Sequence, residues 1–259
     1  MSAIGDNPVK KKFLRRRFKL DTMAGMRLIV NVSAAIALAC LGVCAQEKPI
    51  RLTVVVGGHA FEPSFFRVFD PMSDVKVDIH PHPMAFNREL KGTEVLLLYD
   101  MLEELPEAKR ARVQRYLEGG GGVVILHHAL LDYGDWPFWT NEVAGVKYFR
   151  KAAPGQPAST YKHDIEMKIR VVKEHPVVRG LKDFTIHDEG YKGMWFAPNI
   201  TVLLETEHPD SDRPIAWISP YRKARVAVIQ LGHGKEAHEN PNFRQLVANA
   251  IRWAAKRLD

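Results

Sequence analysis

An α/β fold with a mostly parallel central sheet is predicted by three features of this 259-residue chain. Three uninterrupted apolar runs (residues 50–56, 95–99 and 123–126) read as strands buried on both faces. Segments of helical period alternate with them, which favours parallel strands joined by crossovers. Each run closes on a chemistry-capable residue, His59, Asp100 or His127, and ligands in such sheets bind beyond the strands' carboxyl ends.

In order along the chain, residues 1–45 read as a signal peptide. They hold eight Lys and Arg against two acidic residues, so the remaining 214 residues carry a net charge of only +1. Residues 28–43 form an apolar run too short for an ordinary span. Val43 and Ala45 suit cleavage before Gln46, which leaves a body of 46–259 exported to the periplasm or secreted. Arg15-Arg16-Arg17-Phe18 loosely resembles a twin-arginine signal, Met23 or Met26 are alternative starts, and an uncleaved anchor or a lipid on Cys40 or Cys44 are the weaker readings.

A near-neutral body gives no footprint for a phosphate backbone, so nucleic acid is excluded as a partner. Both cysteines, Cys40 and Cys44, precede the body. Thiol nucleophiles, thiolate-ligated zinc and disulfides are thereby excluded from it. All eleven histidines lie within it.

In the body, residues 50–56 predict a central strand ending in Gly57-Gly58-His59, and 75–79 a shorter alternating one. After the strand at 95–99, Pro106 can open a helix over 107–117, stopped by Gly119 to Gly122. That glycine run carries no phosphate-binding pattern. The strand at 123–126 leads to His127-His128, one imidazole expected over the rim and the other pointing away. Residues 130–160, with Trp136, Trp139 and three prolines, have no sustained period and read as a long insertion over the rim. Further strands are expected at 163–172, 184–187, 201–205, 215–218 and 225–230. A helix over 241–258 with apolar spacing closes the chain.

The candidate chemistry is imidazole and carboxylate. In His187-Asp188-Glu189, strand alternation puts His187 and Glu189 on one face, suited to base catalysis or a metal; the bland alternative is a solvated acidic turn. His233 lies between Gly232 and Gly234, which let the backbone approach a ligand. His163 precedes a strand. His175-Pro176 reads as an extended turn. His80, His82 and His208 flank prolines and are expected on the surface. Trp136, Trp139, Tyr191, Trp195 and Trp217 could form a sugar-stacking platform or simply pack in the core.

The set Gly57-Gly58-His59, VVILHHAL, His175-Pro176-Val177 with Gly180-Leu181, DFTIHDEGY, IQLGHG and Arg252-Trp253-Ala254 resembles the ThuA-like (trehalose utilisation) family over nearly all of 50–258. The resemblance implies a three-layer sandwich similar to class I glutamine amidotransferases, a flavodoxin-like arrangement. Where those enzymes carry a cysteine nucleophile, this chain has Leu126-His127-His128-Ala129. Thiolate amidotransfer is therefore excluded. The resemblance further implies a carbohydrate substrate and a sugar oxidoreductase in the same pathway, because family members accompany enzymes that make 3-keto sugars.

On this reading His127, Glu189 and His233 are catalytic, with His59, His128, His163 and Tyr191 binding substrate. The reaction expected is isomerisation, or elimination or hydrolysis of a glycosidic bond, next to a C3 ketone. A divalent ion held by His127, Glu189 and His233 is permitted as the electrophile. The rival readings are a non-catalytic carbohydrate-binding or structural module and a metal-dependent ester or amide hydrolase.

Overall fold

The computed structural model describes residues Lys48–Asp259, so the signal-peptide reading of 1–45 lies outside the described residues. No helix among them is long and apolar enough to cross a membrane.

The elements in chain order are β1 (Ile50–Gly57), β2 (Val75–Pro81), β3 (Val95–Asp100), helix α1 (Glu107–Glu118) and β4 (Gly122–Leu126). Then follow β5 (Val146–Lys147), β6 (Thr160–Val171), β7 (Phe184–Lys192), β8 (Trp195–Phe196), β9 (Thr201–Glu205), β10 (Pro214–Ile218) and β11 (Val226–Ile229). Two helices, α2 (Lys235–Glu239) and α3 (Pro241–Ala254), complete the chain. Nine strands form one sheet in the order β2-β1-β3-β4-β11-β10-β9-β6-β7. The five from β2 to β11 pair in parallel, and the rest continue antiparallel.

Burial explains the apolar runs. Every residue of β3, β4 and β11 is buried, because both faces of the parallel half are covered. Alternate residues serve opposite faces: Leu97 joins a cluster with Phe65, Phe243, Leu246 and Ile251, while Leu96 and Leu98 join Val113, Leu117 and Trp139. Asn240 caps α3 by accepting from the Asn242 and Phe243 amides, and Pro241 opens it. That helix ends at Ala254 rather than 258, with Lys256 already in the left-handed region (φ 62°).

Several expectations need correction. The stretch 130–160 is no loose cover: it forms a π-helical turn at Phe138–Ala144 that buries Trp139 and Val143, and β5 pairs with β8. Trp217 is likewise buried, its indole N–H donating to the Ala144 carbonyl. These two tryptophans are core, not a sugar platform; Trp195 is exposed. β7 runs on to Lys192, so Asp188 and Glu189 sit within a strand and are buried. His82 was expected on the surface beside His80 and His208, yet its imidazole is fully buried against the Asp100 carboxylate. The chain leaving β2 keeps the ladder going, with the His82 amide donating to the Val56 carbonyl, and this carries the ring under the sheet rim. Asp100 therefore faces His82 instead of converging with His59 and His127.

Candidate active site

Three carboxyl ends of the parallel half supply imidazoles. After β1 the chain turns at Gly58 (φ 74°), where a Cβ would stand 2.1 Å from the Met101 carbonyl oxygen, so only glycine fits. The turn delivers His59, whose ring stacks on His128 at 4.1 Å. After β4 the chain enters a short 3-10 turn (His127–Leu131) with His127 at φ 51°. A non-glycine residue there costs roughly 1–3 kcal/mol and clusters at functional sites. Because extended geometry ends at this point, strand alternation no longer applies, and both His127 and His128 turn into the rim rather than one turning away. Both are buried.

After β11, Gly232 (φ 123°) turns the chain beneath the Phe243 ring and presents His233. The turn is tied to β7 by Asp188, whose carboxylate accepts the backbone N–H groups of Gly232 (2.7 Å), His233 (2.9 Å) and Glu189 (2.8 Å). His238 holds it from the other side, in contact with the Gly232 carbonyl at 3.0 Å and Ser64 Oγ at 2.9 Å. Burial pushes the His238 imidazole down to about 4.

The antiparallel half brings the acid. Lys162 pairs with Gly190 and Ile165 with Asp188, so His163 and Asp164 together face Glu189 across a bulge, with Asp164 at φ 56°. The extra residue re-aims His163, and its Nδ1 lies 3.2 Å from Glu189 Oε1. His163 thus sits inside β6, not before it. His187 shares the Glu189 face as alternation predicts, but it is exposed and pairs with Asp164 at 3.5 Å. The imidazoles that meet Glu189 are those of His127, His163 and His233.

The geometry at the centre is tight. His127 Nδ1 donates to the Gln230 carbonyl (2.6 Å), which turns Nε2 toward Glu189. That nitrogen lies 3.0 Å from Glu189 Oε2, 3.1 Å from His233 Nδ1 and 3.2 Å from the Tyr191 hydroxyl. Tyr191 also stacks on the His127 ring at 5.2 Å. His233 Nδ1 is 3.3 Å from Glu189 Oε2. His127, His128, Glu189 and His233 each offer one donor atom, all within 4.8 Å of one another, and are the residues that could hold a metal ion.

Electrostatics follows from this packing. Burial pushes the Glu189 carboxyl up, but the adjoining His127 and His233 imidazoles more than reverse it and hold it well below the usual range. Contact with Glu189 raises the His233 imidazole against the effect of its burial. Burial, assisted by His127 and His59, drives the His128 imidazole far down. Burial and then the Glu189 charge push the Tyr191 phenol far up. At neutral pH the site therefore contains an ionised Glu189, a neutral His128 and a neutral Tyr191.

A cavity of about 430 Å³ opens onto the cluster, large enough for a small ligand. His59, His128, His163, Glu189 and Tyr191 reach its wall, while His127 and His233 are not among its lining residues. Tyr148, Tyr161 and Arg150 are also among its lining residues. These three, with Asp188 and His238, were not singled out in the sequence. A tyrosine in an aperiodic stretch carries no local signal, whereas Asp188 stood in the same triplet as Glu189.

The chain matches the ThuA family, described as trehalose utilisation, over residues 52–254. No curated protein matches it in sequence. Among solved structures it is similar to a putative ThuA-like protein from Parabacteroides merdae, with 22% identity, a TM-score of 0.72, and coverage of 80% of this chain and 90% of that one. A second, from Bacteroides uniformis, gives 22% identity and a TM-score of 0.63 over 80% and 92% of the two chains. A cold-adapted β-galactosidase from Rahnella sp. R3 shares the fold at 14% identity and a TM-score of 0.53, over 88% of this chain and 35% of the enzyme. With the family match spanning most of its length, the chain belongs to the ThuA (trehalose utilisation) family and thereby to carbohydrate metabolism.

Proposed function

We propose that this is an exported protein of carbohydrate catabolism that acts on a 3-keto sugar or glycoside by His/Glu acid–base chemistry. The observation that carries the reading is the ionised Glu189 at the cavity wall, with His163 on Oε1 and His127 and His233 on Oε2. A ketone at C3 acidifies the C2 hydrogen. Glu189 Oε1 takes that proton, and the electron pair left on carbon is delocalised onto the ketone oxygen. Isomerisation follows if the proton is returned to C3 while the C2 hydroxyl proton passes to the C3 oxygen, which moves the ketone to C2. If the C1–oxygen bond breaks instead, His163 is placed to protonate the leaving oxygen, and addition of water completes hydrolysis. His127 and His233 fix the carboxylate, and the neutral Tyr191 and His128 offer hydrogen bonds to sugar oxygens.

The same proposal covers the finer architecture, a three-layer sandwich of the class I glutamine amidotransferase type, supported by apolar clusters on both sheet faces. Amidotransfer is left out because His127 and His128 occupy the elbow. Export through residues 1–45 and a partner oxidoreductase that supplies the C3 ketone belong to the reading as well.

The test is incubation of purified protein with 3-keto disaccharides, followed by product analysis. Glu189→Gln keeps the fold by circular dichroism and loses about 10²- to 10⁴-fold in turnover, the range for a positioned base. Full activity in that variant ends the assignment of Glu189. Sugar binding without product in the unmodified protein leaves a carbohydrate-binding module in place of an enzyme.

A further inference from the structure

The contacts around Glu189 Oε2 ask for an occupant. This oxygen is buried, and two imidazole nitrogens stand 3.0 and 3.3 Å away from it and 3.1 Å from each other. Two ligands each 2.0–2.1 Å from one ion, in tetrahedral or octahedral array, stand about 2.8–3.4 Å apart. His127 is already oriented for such a role: its Nδ1–H donates to the Gln230 carbonyl, so Nε2 faces the cluster. Asp188 does the same for the backbone, holding the amides of both Glu189 and His233. His128 brings a fourth donor within 4.8 Å of the others and also lines the cavity. Three imidazoles and one carboxylate, with no thiolate, suit a borderline d-block dication better than calcium or magnesium.

We propose that His127 Nε2, His233 Nδ1, Glu189 Oε2 and a ring nitrogen of His128 bind one divalent cation of the zinc class. The assignment stands on these contacts alone; its use in polarising the oxygens of an α-hydroxyketone rests on the function proposed above. Glu189 Oε1 stays directed at His163, so one carboxylate serves the ion with one oxygen and the substrate with the other.

The experiment uses the full chain purified without chelators, with metal measured by inductively coupled plasma mass spectrometry. After stripping with EDTA, the protein is titrated with Zn²⁺ and with Co²⁺. The expected results are about one equivalent bound, visible d–d bands with Co²⁺, and a melting temperature that climbs with Zn²⁺ concentration. His233→Ala and Glu189→Gln each weaken Co²⁺ binding at least about tenfold, and His80→Ala on β2 does not. The stripped, unmodified protein keeps the test valid should a variant fail to fold. Stripped protein that shows neither Co²⁺ bands nor a Zn²⁺-dependent melting shift overturns the proposal, as do variants that bind Co²⁺ like the parent. Stoichiometric metal without turnover of any 3-keto sugar supports the site and removes the sugar reading. Full turnover by metal-free protein overturns the ion's use in the reaction and keeps that reading.

Discussion

β3 and β6 belong to one sheet and follow opposite rules. In β3 all six residues are buried, and the sequence is an unbroken apolar run. In β6 burial alternates from Ile165 onward, with Met167 and Ile169 inward and Glu166, Lys168 and Arg170 outward. The difference is coverage: β3 is packed on both faces, whereas the hairpin of β6 and β7 presents one face to solvent. The parallel half is therefore a rigid base that sets out His59, His127, His128 and His233. The β6–β7 hairpin is a one-sided arm that holds Glu189, His163 and Tyr191 against it.

The join between the two halves is where the comparison breaks most readily. Asp188→Ala removes the common acceptor of three backbone N–H groups. At about 1–3 kcal/mol for each unsatisfied buried donor, partly relieved by relaxation, the expected loss is about 3–5 kcal/mol in urea unfolding. Next comes the contrast between strands. Leu97→Ala in β3 empties a fully buried position and should cost about 2–5 kcal/mol, while Lys168→Ala on the outer face of β6 stays within about 0.5 kcal/mol. Equal effects at the two positions would contradict the difference in coverage.

A smaller effect is expected from pH. The folded His238 imidazole titrates at about 4, below its ordinary value near 6.5, so between those values the unfolded chain binds more protons. Stability from this group is complete above about 6.5 and is lost as pH falls toward about 4, by some 2–3 kcal/mol. His238→Gln should flatten that part of the profile. An unchanged slope would show that the ring is free to charge in place.

Continuous apolar runs made the parallel half legible, since few other arrangements bury such strands. His127, His233 and Glu189 were legible as candidate site residues because the sequence puts them at strand ends or beside glycine. Alternation carried less far. It broke at His127, where the backbone turns left-handed, and it placed His187 but not its exposure. His82 was misread because proline on both sides suggests a loop, whereas the ladder contact to Val56 that buries it joins residues distant in sequence. Asp188 was visible as a residue but not as a clamp, because two of its three partners lie more than forty positions away.

The bulge in β6 has a consequence for chain length. Two residues, His163 and Asp164, occupy the space of one opposite Glu189. A chain one codon shorter at this point would have a regular ladder, with Tyr161 still paired to Tyr191, Lys162 to Gly190 and a single residue opposite Glu189. Whether the residue kept there is the histidine or the aspartate would decide if an imidazole or a second carboxylate meets that acid, so this one position can sort family members by the chemistry they are equipped to perform.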